Sequence, residues 1–143
     1  MKVIIGCDHA GFSLKTQVKA LLKNLGHTVE DAGCHSEDSV DYPVYGKVVA
    51  TGVAKGEFAK GILICGSGLG MSMVANRFPG VRAALCNDLY SAHLSRQHND
   101  ANVLVMGGRL IGGDLAEEIV RTWLTTEFEG GRHEGRIAQL DEI

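Results

Sequence analysis

The strongest constraint on what this chain can fold into is its alternation of short apolar runs with segments of helical period. KVIIGC (2–7), GILIC (61–65), VRAALC (81–86) and NVLVMG (102–107) are almost unbroken stretches of small and branched apolar residues, and HTVEDAG (27–33) reads as a further short strand. A strand that lacks apolar–polar alternation is covered on both faces, which is the condition of a parallel sheet. Between the strands the period changes. Leu14, Val18, Leu21 and Leu25 share one helical face that ends at Gly26. Asp41-Tyr42-Pro43 opens a helix carrying Tyr45, Val48, Val49 and Val53. Residues Leu69–Arg77 form a helix stopped by Phe78-Pro79-Gly80, and Asn87 or Asp88 caps another with Leu89, Ala92 and Arg96. After Gly112-Gly113, Asp114 caps one with Leu115, Ile119 and Trp123, and GGRHEGRIAQLDEI is a charged turn feeding a last helix. The pattern predicts an α/β chain, a three-layer α/β/α sandwich on a five-stranded parallel sheet with right-handed crossovers.

With 143 residues and 45% hydrophobic content, the chain suits one domain over 1–143 that closes its core without staples. A net charge of −3 argues against a nucleic-acid partner. No run of 18 apolar residues and no basic-then-apolar leader points to a membrane or to export. Cys7, Cys34, Cys65 and Cys86 form no C-x-x-C pair, so they fit neither a zinc site nor a secreted disulfide framework, and a reducing cytoplasm is expected.

Open parallel sheets bind ligands beyond the carboxyl ends of their strands. In this chain those ends carry Asp8 and His9, Cys65 with the loop GSGLG, Asn87 and Asp88, and Gly107-Gly108-Arg109. The loop is not a dinucleotide fingerprint, because Gly66, Gly68 and Gly70 are spaced by two throughout, and no Lys-Ser/Thr follows to make a P-loop. It is either a tight strand-to-helix crossover or a cluster of N–H donors for an anion at a helix start. The thiol that precedes those donors can attack a carbonyl or remove the proton beside one, and the residues alone leave both open. His98-Asn99 fall between a helix and a strand. Arg132 and Arg136, four apart, can grip a phosphate dianion or pair with Glu129 and Glu134 on a solvated helix.

Taken together, GCDHAGFSLK, DYP, GILICGSGLGMSMVANRF, YSAHLSRQHNDANVLVMGGR and EGGRHEGR closely resemble the ribose-5-phosphate isomerase B family, which includes the galactose-6-phosphate isomerase subunits. The resemblance covers nearly the whole chain. It implies a cofactor-free and metal-free aldose–ketose isomerase on a Rossmann-like sheet, acting through a cis-enediolate on a phosphorylated sugar. It further implies homodimers, or tetramers, with shared active sites. Cys65 would be the base, Ser67 and the amides of Gly66, Gly68, Leu69 and Gly70 would hold the enediolate oxygens, and Asp8 would handle a hydroxyl proton. Tyr42 would shape the pocket, His98 would open the sugar ring and Asn99 would bind its oxygens. His9, Arg109, Arg132 and Arg136 would hold the phosphate, with segment 128–143 supplying the last two and a terminal helix. His98, Asn99 and Arg109 are expected from the partner subunit. A branch of the family replaces the cysteine by a glutamate just after the loop; this chain has Met71 there, so Cys65 has no substitute. Ribose 5-phosphate is the expected substrate. Allose 6-phosphate, galactose 6-phosphate, erythrulose 4-phosphate and a non-catalytic sugar-phosphate sensor are the alternatives.

Overall fold

The five apolar runs lie side by side, all parallel, in a computed structural model that describes residues 1–143. In chain order the elements are β1 (Lys2–Cys7), a 3-10 turn (His9–Gly11), α1 (Phe12–Asn24), β2 (Thr28–Asp31), α2 (Tyr42–Ala54), β3 (Lys60–Cys65) and α3 (Leu69–Ala75). They continue with β4 (Ala83–Leu85), α4 (Leu89–Gln97), β5 (Val103–Gly107), α5 (Gly113–Thr125) and α6 (Arg132–Asp141). The strand order is β2-β1-β3-β5-β4. From β1 the chain moves outward to β2 and then crosses back to β3 on the other side, so the direction of winding reverses between β1 and β3. That reversal opens a crevice at their carboxyl ends. Register brings the ends level, with Cys7 opposite Ile64 and Cys65 opposite Gly107.

The predicted α/β class and five parallel strands are observed. Each strand alternates its side chains between two helical layers. Ile62 and Ile64 join Val18, Leu22, Ile119 and Trp123 under α1 and α5, whereas Leu63 and Cys65 join Val49, Val53, Met71 and Ala75 under α2 and α3. Details at the helix surfaces differ from the sequence reading. Val48 and Leu115 point outward, since the close-packed faces of α2 and α5 are built from Gly46, Val49, Ala50 and Val53 and from Ala116, Ile119, Val120 and Trp123. Leu25 is the C-cap of α1 and 40% exposed. The helix expected over Leu69–Arg77 ends at Ala75, where Asn76 instead exchanges two hydrogen bonds with the backbone of Ala83. Gly112 is the N-cap of α5 and Asp114 lies in its first turn. Asp88, rather than Asn87, caps α4 by accepting from the Ser91 amide.

The most deeply buried charged side chain lies on α1. Lys15 is 1% exposed on α1, and its Nζ donates to Asp31 Oδ1 at 2.7 Å and to the carbonyl of Cys34. Asp31 also accepts from Lys19 and from the Gly33 amide. Burial pushes its carboxyl upward, but these hydrogen bonds outweigh that and hold it down at about 2. A carboxylate so lowered stabilises the fold fully above its ordinary range near pH 4, and the contribution disappears as pH falls towards 2. Removing one partner of a buried pair strands the other charge. Asp31→Asn is therefore expected to cost about 3 kcal/mol, whereas Lys15→Met, which leaves Asp31 its other two donors, should cost less than half as much. Urea unfolding of both variants checks this; equal costs would contradict it.

Candidate active site

Two groups of polar side chains stand at opposite edges of the sheet. At the carboxyl edge, the Asp8 amide bonds to the carbonyl of Ile64, which sets Asp8 beside the end of β3. Its carboxylate caps the following turn, accepting from Ala10 and Gly11 at 3.0 and 3.2 Å. Gly11 passes so close to β3 that a Cβ there would lie 2.6 Å from the Ile64 carbonyl oxygen. His9 Nδ1 accepts from the Val40 amide at 3.1 Å, which leaves Nε2 as the ring's donor.

The loop after β3 is fixed from its neighbours. Gly108 and Arg109 donate their amides to the carbonyls of Cys65 and Gly66. Asn87 ties β4 to the loop and to β5, donating to the Ser67 carbonyl at 3.4 Å and accepting from the Gly107 amide at 2.8 Å. Gly68 adopts φ +85°, and a Cβ there would collide with Leu85. Gly70 lies under the ring of Tyr42, whose Cζ would be 2.6 Å from an added Cβ. Arg109 extends over Gly66, with Cδ and Nη1 each 3.5 Å from such a position.

Within this frame the Leu69 amide donates to Ser67 Oγ at 3.2 Å, so it is committed inside the loop. The amides of Gly66, Ser67, Gly68, Gly70 and Met71 find no acceptor anywhere in the chain. Cys65 is 4% exposed at the last position of β3 and makes no hydrogen bond through its sulfur. An array of free N–H groups in the loop that follows a strand-end thiol can stabilise negative charge that develops on a carbonyl oxygen.

The second group lies at the amino edge. α4 starts beyond the carboxyl end of β4 and runs back along the sheet, so its C-cap, His98, emerges where β3, β4 and β5 begin. Asn102 marks that edge, with its carbonyl bonded to the Gly61 amide and its own amide bonded to the Arg82 carbonyl. α5 makes the same return, and the Glu129 amide then bonds to the carbonyl of Gln97. This brings α6, with Arg132 and Arg136 exposed, up to His98. His98 stacks on His133 with ring centroids 4.3 Å apart and planes 14° from parallel. Glu129 places one carboxylate oxygen 3.9 Å from His98 Nε2 and the other 4.0 Å from His133 Nε2. Burial, assisted by the nearby His98 and Arg132, holds His133 below the ordinary histidine range. The donor atoms of this trio lie within 4.8 Å of one another. A metal sits in the plane of each imidazole that binds it, and two stacked, near-parallel rings share no such point.

A strand of five or six residues spans roughly 15–20 Å, so the two groups of one chain are that far apart. Asp8, His9, Tyr42, Cys65, Ser67, the glycine loop and Arg109 form one group. His98, Asn99, Arg132 and Arg136 form the other. This regroups the arginines: Arg109 shares a chain and an edge with Cys65, and Arg132 and Arg136 travel with His98. Sequence reasoning did not single out Asn87 as the clamp on the loop or His133 and Glu129 as neighbours of His98. The signal for His133 was its position between the two arginines in GGRHEGR. For Asn87 the signal was its place at the carboxyl end of a strand, although only the strand order puts it beside Ser67.

The comparisons with known proteins bear on the family. A family model described as Ribose/Galactose Isomerase matches residues 3–140. The chain is 50% identical to ribose-5-phosphate isomerase B of Escherichia coli over 142 residues, covering 99% of this chain and 95% of that protein. It is 44% identical to a 4-deoxy-4-sulfo-D-erythrose isomerase of a Clostridium strain, covering 95% and 86% of the two chains. Among solved structures, ribose-5-phosphate isomerase B of Clostridium thermocellum superposes with a TM-score of 0.98 at 51% identity, covering 99% of this chain and 96% of that one. The Thermotoga maritima protein gives 0.96 at 54%, covering 99% and 98%. The chain belongs to the ribose/galactose isomerase family.

Proposed function

We propose that this sugar-phosphate isomerase interconverts ribose 5-phosphate and ribulose 5-phosphate through a cis-enediolate, with Cys65 as the base. The observation that carries this reading is the set of five amides without acceptors in the loop that directly follows Cys65, a thiol with no hydrogen-bonded histidine. A nucleophilic cysteine wants an imidazole to take its proton. A proton-transfer base instead depends on charge stabilisation of the enediolate, where each donor is worth roughly 10²–10³ in rate. In this mechanism Cys65 carries a proton between C2 and C1 while Ser67 and the free loop amides hold the two oxygens. Asp8 relays a hydroxyl proton and Tyr42 walls the pocket over Gly70. His98 opens the furanose ring, and Asn99 binds sugar hydroxyls. His9, Arg109, Arg132 and Arg136 grip the phosphate, whose binding energy orients the reacting carbons.

These groups meet only if a second copy brings its amino edge to the carboxyl edge of the first, so the working unit is a homodimer or a larger symmetric assembly. The surface favours such a partner. Val44, Val48, Leu69, Met73 and Leu110 are each about half exposed or more. A cavity of about 710 Å³ runs along edge strand β4, lined by Phe78, Leu85, Leu94, Asn99, Leu140 and Ile143. The four cysteines are all free, which suits a reducing compartment such as the cytoplasm, and no helix is long and apolar enough to cross a membrane.

A second reading concerns only the sugar. The similarity to an isomerase of a sulfonated tetrose favours testing shorter substrates, because pockets separate sugars that differ by one carbon only modestly. A panel of tetrose, pentose and hexose phosphates compared by kcat/KM decides it. The pentose should lead by at least about tenfold; preference for another sugar overturns the substrate and leaves the chemistry. Cys65→Ala should lower kcat at least about 10³-fold with an unchanged melting temperature, and a rate within tenfold of the parent would remove Cys65 from the base role. Arg136→Ala should mainly raise KM and weaken inhibition by inorganic phosphate. Equal inhibition of variant and parent counts against phosphate binding there.

A further inference from the structure

His98 ends a helix and is about one-third exposed. A surface imidazole in that position ordinarily samples several rotamers, whereas a group that opens a sugar ring must be held in one. The neighbouring geometry supplies the restraint. His133 is 5% exposed in the first turn of α6, presents a flat face 4.3 Å from the His98 ring, and leaves its Nε2 buried without a hydrogen-bond partner. Glu129 is tied by its backbone to Gln97, the residue before His98, and spreads its two oxygens toward both imidazoles. We infer that His133 and Glu129 are positioning residues for His98, His133 as a neutral stacking plate and Glu129 as the counter-charge that supports the working imidazole when it carries a proton.

Two stacked imidazoles cannot both be charged without repulsion, so the pair accommodates one proton. Burial and the cations of Arg132 and Arg136 hold His133 below the ordinary histidine range, which keeps it neutral and leaves the carboxylate to His98. The other charged groups on the packed elements are paired elsewhere or exposed, as Glu118, Arg121 and Glu134 are. Arg96 bonds to Asp100, and Arg82 bonds to Asp100 and Asp141. His93 on α4 lies 3.4 Å from Thr126. Glu127 is exposed in the segment that follows α5. Glu129 is thus the carboxylate that faces both rings.

This inference rests on the isomerase reading above, and the chemistry of the two substrates separates the two. Ribose 5-phosphate closes to a furanose through its O4. Ribulose 5-phosphate cannot, because its O5 is esterified and its O4 would close only a four-membered ring. Exchange of the ketose C1 proton with D₂O therefore reports the Cys65 step without ring opening. His133→Ala and Glu129→Gln should each lower kcat on ribose 5-phosphate by about tenfold or more, with KM little changed and the ketose C1 exchange retained within about threefold. The acidic limb of the kcat–pH profile should move in Glu129→Gln. His133→Phe, which restores a flat neutral ring, should recover most of the lost rate. Isomerisation and exchange falling together, in step with lower thermal stability, would show a merely structural role and overturn the inference, as would unchanged isomerisation in both variants. A parent enzyme that neither converts ribulose 5-phosphate nor exchanges its C1 proton overturns the isomerase reading itself, and the positioning role with it.

Discussion

In a parallel sheet each helix returns the chain to the edge from which the next strand starts. A residue at the end of a strand and a residue at the end of the following helix consequently face opposite edges. Cys65 closes β3 and His98 closes α4, so one copy of this fold holds them apart by the length of the sheet. That separation limits what one copy can do. The carboxyl edge supplies a thiol, a carboxylate and free amides; the amino edge supplies imidazoles and guanidiniums. Neither group alone can open a ring, transfer a proton and neutralise a phosphate. On the proposed function, a symmetric pair of copies would complete two sites at once, each subunit giving one edge and receiving the other.

The carboxyl edge itself is a product of close packing. Gly11, Gly68, Gly70, Gly107 and Gly108 stand where a Cβ would strike a neighbouring backbone, Leu85 or the Tyr42 ring. Their absence of side chains lets the strand ends and the loops that follow them approach closely. Asn87 then fixes the loop against β5 through one donor and one acceptor. Rigidity of this kind matters because preorganised donors stabilise developing charge without reorganising during the reaction. Asp8 shows the same economy, since capping the turn after β1 holds its carboxylate beside the end of β3.

The fold was largely legible from the residues. Runs such as GILIC and NVLVMG have no alternation, and only a two-sided parallel sheet buries them. The helix at 69–77 was read too long because Phe78-Pro79-Gly80 was the visible stop, whereas the operative one is Asn76 reaching across to Ala83. The site was legible as a set of suspicious residues and not as a geometry. Arg109 and Arg132 look alike in sequence, yet the strand order places one over Gly66 and the other beside His98. His133 stands out in sequence only by its place between two arginines, because burial of one residue in a charged turn follows from α6 packing and not from composition. Lys15, polar by type but in line with Val18 and Leu22 on α1, is buried where Asp31 and the Cys34 carbonyl accept its hydrogen bonds.

The central claim, that one working site takes Cys65 from one copy and His98 from another, is tested most directly by mixing two inactive variants. Cys65→Ala and His98→Ala, unfolded together in equal amounts and refolded, should form mixed pairs in which one of the two sites is intact. About a quarter of the parental activity should return, as random pairing of a two-fold assembly requires, while each variant refolded alone stays inactive. Recovery of no activity from a mixture shown to contain mixed pairs would contradict the shared site.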